Sequence, residues 1–158
     1  MSDDARFEDA QGGPLRLRAL DPDDLSVLSS LVQDAVFPVT EMRWDPRQRR
    51  FGLLLNRLRR EDARVSAGAD VERVRTFLAV EDVMAVRSSG IDRDDRDLVC
   101  AVLSVTMEPG EDGAGTVLIT LAGDGAIALS VEALEVTLRD VTRPYHAPSG
   151  KVPDHGLD

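Results

Sequence analysis

Hydrophobic periodicity along the 158-residue chain switches between strand-like and helix-like spacing in a definite order. After an acidic, aperiodic lead at residues 1–13, Leu15 and Leu17 alternate with Arg16 and Arg18, the two-residue period of a short half-buried strand. Asp21-Pro22-Asp23-Asp24 then has the chemistry of a helix start. Asp21 can accept from orphan N–H groups, Pro22 suits the first helical position, and the acids complement the positive end of the helix dipole. Leu25, Leu28, Leu31 and Val32 supply the apolar stripe behind that cap. From Val36 the two-residue period returns in segments divided by turn residues, and these predict strands over Val36–Trp44, Phe51–Arg59, Glu72–Val80, Val83–Ile91, Leu98–Met107, Thr116–Ala122 and Ala126–Ser130. Gly123-Asp124-Gly125 is a strong hairpin signal, since both glycines tolerate positive φ. Val131, Leu134, Leu138 and Val141 go back to helical spacing behind Ser130, a candidate cap, and predict a closing helix over 131–141.

The segment from Phe51 is the ambiguous one. Phe51, Leu54, Leu55 and Leu58 also suit a helix, although Gly52 weakens a helix by roughly 1 kcal/mol against alanine. The Asp45-Pro46 turn favours strand, because it would join this segment to the preceding one as a hairpin. A regular strand would put Arg57 and Arg59 on the face of Phe51, Leu53 and Leu55, and a bulge near Asn56 is one way to switch faces.

Together these elements predict a single α+β domain over 14–143, a flexible lead over 1–13 and an extended tail over 144–158 rich in proline. The element order from Val36 to Val141 is similar to that of pleckstrin-homology-like folds, an antiparallel β-roll or barrel of about seven strands with a C-terminal capping helix. Here it would be preceded by the short strand and one helix. In such folds the loop between the first two strands is often a basic ligand site, and "DPRQRR" would be that loop. The stretches "LRLRALDPDDL", "RRFGLLLNR", "VRSSGIDR", "EPGEDGAG" and "TRPYHAPSG" also resemble a small uncharacterised bacterial family of unknown function. That resemblance implies a soluble bacterial protein and carries no site residues with it.

Charge changes the picture in one place. The formal net charge is −10, which disfavours general nucleic-acid binding through long-range repulsion. Residues 43–64 oppose that trend: "RWDPRQRRFGLLLNRLRREDAR" has eight arginines against Asp45, Glu61 and Asp62. Arg47, Arg49 and Arg50 would sit in the hairpin turn and could converge on one anion, where guanidinium forks bind phosphate or carboxylate. The plainer alternative pairs them with the acidic surface and uses them to guard a strand edge. Trp44 is expected in the core, since the chain has few aromatics to build one with.

The remaining chemistry narrows by subtraction. Cys100, in "DLVCAVLSVTM", has no local base and is expected as a small buried hydrophobe. His146 and His155 both fall in the tail, so neither a Ser/His/Asp set nor a recognisable zinc spacing can be assembled. "DRDDRD" from Asp92 to Asp97 fails the calcium-loop template, having Asp97 where glycine is required and Leu103 where glutamate is required. "GEDGAG" and "GDG" lie between strands rather than ahead of a helix, so they suit turns and not phosphate cradles. No apolar run has the length of a membrane helix, and no cationic-then-apolar leader opens the chain. The expectation is a cytoplasmic, non-enzymatic module that binds a protein partner, a further copy of itself or a small anionic ligand, with no cofactor or metal. The alternatives are an enzyme with a carboxylate or arginine site, and nucleic-acid binding through Arg43–Arg64.

Overall fold

The computed structural model describes residues 14–58 and 73–141, together with the backbone of 72 and 145–146. In chain order the elements are β1 (Arg16–Ala19), α1 (Pro22–Val32), β2 (Val36–Pro38), a 3-10 turn (Val39–Glu41), β3 (Met42–Asp45), β4 (Arg50–Leu58), β5 (Glu72–Val80), β6 (Val83–Ser89), β7 (Val99–Pro109), β8 (Gly115–Leu121), β9 (Ala126–Val131), β10 (Val136–Asp140) and β11 (Tyr145–His146). The strands join in one antiparallel sheet ordered β1-β10-β5-β4-β2-β7-β8-β9-β6, with β3 beside β4 and β11 beside β5. Alternate residues of each long strand turn to a common core. Leu53, Leu55, Leu78, Leu138, Val117, Ile119, Ile127 and Leu129 all lie within it.

The single α-helix among the described residues forms as its sequence dictates. Asp21 adopts extended backbone and its Oδ1 accepts from the Asp24 N–H at 2.8 Å, with Pro22 opening the first turn. Leu25, Leu28 and Val32 are buried, and each contributes about 1.5–3 kcal/mol by leaving water. The helix packs on β7, β1 and β4, and Ser29 Oγ accepts the Val105 N–H at 2.8 Å, so the helix caps part of the β7 edge.

Two expectations about architecture are corrected. The sheet is open: its path runs from β1 to β6, which do not pair, so it is not a closed roll or barrel of the pleckstrin-homology kind. The closing helix expected over 131–141 is instead a turn followed by β10. Its apolar positions suit both periods, because Val136 and Leu138 alternate with Thr137 and Arg139. Non-local pairing settles the choice. β10 fills a slot between β5, pairing Val136–Asp140 with Val80–Thr76, and β1, pairing Val136–Arg139 with Ala19–Arg16. A helix there would leave both neighbours with unpaired edges.

Smaller differences have local causes. The strand expected over Val36–Trp44 breaks at Pro38, which has no N–H for a ladder, and a 3-10 turn redirects the chain into β3. Phe51 to Leu58 is strand in unbroken register with Val80 to Arg73, with no bulge near Asn56. Trp44 is 37% exposed rather than a core residue. In the hairpin at 123–125 the positive φ angles belong to Gly123 (81°) and Asp124 (69°). Arg59, the lead at 1–13 and the tail beyond His146 lie outside the described residues.

Candidate functional site

The unbroken register of β4 has a direct consequence for Arg57. It faces inward with Phe51, Leu53 and Leu55, and its side chain is fully buried. Its Nη2 donates to Asp140 Oδ1 at 3.0 Å and its Nε to Thr76 Oγ1 at 2.9 Å, while the Thr76 hydroxyl donates to Asp140 Oδ1 at 2.8 Å. The Leu15 N–H donates to the other Asp140 oxygen at 2.8 Å. One ion pair therefore ties β4, β5 and β10 to the residue preceding β1. Both charges are dry and hydrogen-bonded, the condition for a buried pair to be tolerated. We assign this cluster to structure, since it is enclosed and internally satisfied.

The opposite face of the same strands is different. Residues 16 and 18 of β1, 139 of β10, 73 and 75 of β5, and 43 of β3 point outward by the register and burial alternation, and all are arginine. Arg16 pairs across with Arg139, which neighbours Phe77, and Arg18 lies in the row that leads through Thr137, Ala79 and Gly52 to Arg43. Four strand spacings separate β1 from β3, so the arginines span about 19 Å across the sheet. They come from "LRLRA", "MRW", "RVRTF" and "TLRD", distant stretches that only strand pairing brings together.

Three of the six have local partners that are not acidic. Arg43 Nη1 donates to the carbonyls of Thr40 (2.8 Å) and Met42 (3.2 Å), Arg73 Nη1 donates to Asn56 Oδ1 (3.1 Å), and the Arg139 guanidinium lies 6.0 Å from the centre of the Phe77 ring. Among the described residues these three have no carboxylate partner. Arg18 does, through Glu135 at 3.1 Å. Phe77 is held at the middle of the face because Gly52 leaves room for it: a Cβ on Gly52 would stand 2.6 Å from the ring. Beside the face a cleft of about 300 Å³ opens where β2 leaves β4, with Val36, Pro38, Leu54 and Val99 as its apolar wall and Asn56, Arg75 and Glu41 as its polar groups.

The three arginines expected to converge on the β3–β4 turn do not share one direction. Arg50 lies at the margin of the outer face, where its Nε contacts both Glu81 oxygens at 2.9 and 3.2 Å. Arg49 takes positive φ (58°) and pairs with Glu132. Arg47 is exposed, and its backbone N–H donates to Asp45 Oδ1 at 3.0 Å. Sequence reasoning meets Arg16, Arg18 and Arg43 only within their own segments and passes over Arg73, Arg75 and Arg139, because each is unremarkable in its own strand. A comparison of the polar positions of all strands at once is the signal that could find them.

A model of the family described as protein of unknown function (DUF2948) matches residues 15–155. The chain belongs to that family. The match runs from the first core residue of the DUF2948 chain to its tail, so both the buried ion pair and the arginine face fall within it. No curated protein matches the chain.

The other motifs take structural roles. Cys100 is 8% exposed and burial raises its thiol pKa, which opposes thiolate formation. Asp92 and Asp95 accept from the N–H groups of Asp94 (3.0 Å) and Asp97 (3.1 Å), so they organise their own loop. Among the described residues no group of three His, Cys, Asp or Glu side chains could hold a metal, and no helix is long and apolar enough to cross a membrane.

Proposed function

We propose that this DUF2948 protein is a non-catalytic binding module that takes an acidic segment of a partner protein on the outer face of β1, β10, β5, β4 and β3. The observation that carries the reading is the gathering of Arg16, Arg18, Arg43, Arg73, Arg75 and Arg139 on one side of a chain whose net charge is −10. A face of this breadth suits an extended anion better than a single phosphate. The apolar cleft at its border favours a polypeptide, which can add a hydrophobic side chain to its carboxylates, over a nucleic acid repelled by the rest of the molecule. Arg47, Arg49 and Arg50 contribute at the margin in this reading, with Arg49 and Arg50 restrained by Glu132 and Glu81.

The test is fluorescence anisotropy with a labelled Asp/Glu-rich peptide, titrated with the protein at low and near-physiological salt. Binding should weaken with salt, since the contacts are exposed. Charge reversal of Arg43 and Arg139 to glutamate should cost at least about tenfold in affinity, roughly 1.4 kcal/mol. A peptide that binds the reversed variant as well as it binds the original would overturn the reading. Tighter binding to a single-stranded oligonucleotide of equal charge would replace it with nucleic-acid recognition.

A further inference from the structure

The arginine face adjoins an acidic stretch of its own chain. Residues 1–13, "MSDDARFEDAQGG", lie outside the described residues, and their sequence sets Asp3, Asp4, Glu8 and Asp9 against Arg6, with Phe7 among the acids. The two other stretches beyond the described side chains have no such excess. Residues 59–71 balance Arg59, Arg60 and Arg64 against Glu61, Asp62 and Asp70, and residues 142–158 balance Arg143 and Lys151 against Asp154 and Asp158.

The point at which the lead joins the fold decides what it can reach. It enters β1 through Leu15, whose N–H is fixed by Asp140, and Arg16 is the first residue of that strand. Arg16 also starts a row that crosses the outer face: it pairs with Arg139, Arg139 with Phe77 and Phe77 with Leu54. Just beyond Leu54 is the cleft bounded by Pro38 and Val99. The row therefore runs from cationic to apolar. Three strand spacings, about 14 Å, separate Arg16 from Leu54, and a fourth, about 19 Å in all, crosses the cleft. Phe7 stands seven residues before Pro14, about 23 Å of extended chain, so its ring reaches the cleft while Glu8 and Asp9 stay on the arginine side. Glu41 in the cleft disfavours a carboxylate there and leaves the apolar wall to a ring. Gly12-Gly13 tolerates the reversal that this path needs.

We propose that residues 1–13 fold back along this row as an intramolecular ligand, with Phe7 in the cleft and the acids on the arginines, and compete there with the acidic segment of a partner. The inference rests on the reading of this face as a site for acidic polypeptide. A tethered competitor needs little intrinsic affinity, because the linkage gives it an effective concentration on the order of millimolar.

The test attaches a nitroxide to Ser2→Cys in the full chain, where Cys100 is buried, and reads the broadening of amide signals at low salt. Leu54 and Phe77 should broaden. The broadening should disappear at about 1 M salt, where the Debye length is about 3 Å. It should also disappear when Asp3→Asn, Asp4→Asn, Glu8→Gln and Asp9→Asn are combined, and Phe7→Ala should weaken it. Deleting residues 1–12, which stops short of Leu15, should raise affinity for the labelled Asp/Glu-rich peptide by roughly tenfold, the factor lost when a face is closed about nine-tenths of the time. Leu54 and Phe77 signals that stay sharp at low salt overturn the inference, as does a peptide affinity unchanged by the deletion. The partner reading survives both of those results. If the two signals broaden and the peptide binds neither form, the partner reading falls and the fold-back is upheld.

Discussion

Among the described arginines, Arg57 is the one buried within a hydrophobic face. Removing a charge from water costs several kcal/mol, and the Asp140 carboxylate returns that only through close contact and shared hydrogen bonds. Asp140→Ala would strand the guanidinium and also orphan the Leu15 N–H. Chemical denaturation should show a loss of about 3–5 kcal/mol. Replacing Arg57 by Met and Asp140 by Leu together should cost less than either single change, because no unpaired charge remains. Cys100 makes a second prediction at this scale. Its thiol pKa is raised by burial, so the folded state holds the proton more tightly than the unfolded chain does. Any stability this contributes is present below the ordinary thiol value and changes as pH rises through and above it, in the direction that disfavours the fold. Alkylation near neutral pH should accordingly be slow, and should accelerate when denaturant opens the fold.

At the scale of elements, α1 is held by local chemistry and β10 by its neighbours. Asp21→Ala removes the carboxylate that accepts from Asp24 and should cost about 1 kcal/mol, read from the midpoint of urea unfolding at unchanged slope. β10 bonds to β5 on one side and β1 on the other, so its amides should be among the slowest to exchange with deuterium. Those of β3, paired on one side with β4, should exchange faster. Deleting residues up to Leu20 should expose the β10 amides that bond to β1. A helix over 131–141 would keep its amides protected after that deletion, because helical hydrogen bonds need no partner strand.

The whole molecule sorts charge by face. The outer face of β1, β10, β5 and β3 gathers arginines although the net charge of the chain is −10. Binding of the acidic peptide proposed for that face should weaken as salt screens exposed charges. Titrations at two ionic strengths check this without any substitution.

Local sequence is sufficient where the deciding interactions are local. The Asp21 cap, the apolar stripe of α1, the hairpin at 123–125 and the alternation of β5 to β9 depend on neighbours within a few residues, so they are legible in the residues alone. The burial of Cys100 follows equally directly from its apolar surroundings. Tertiary structure decided the rest because pairing partners lie far apart in the chain. Residues 131–141 could satisfy a helix or a strand, and only the gap between β1 and β5 selected β10. Arg57 could be turned outward by a bulge or kept inward, and Asp140, 83 residues away, made inward tenable. The six arginines of the outer face belong to strands that the linear order separates, so their common direction exists only once the sheet has formed.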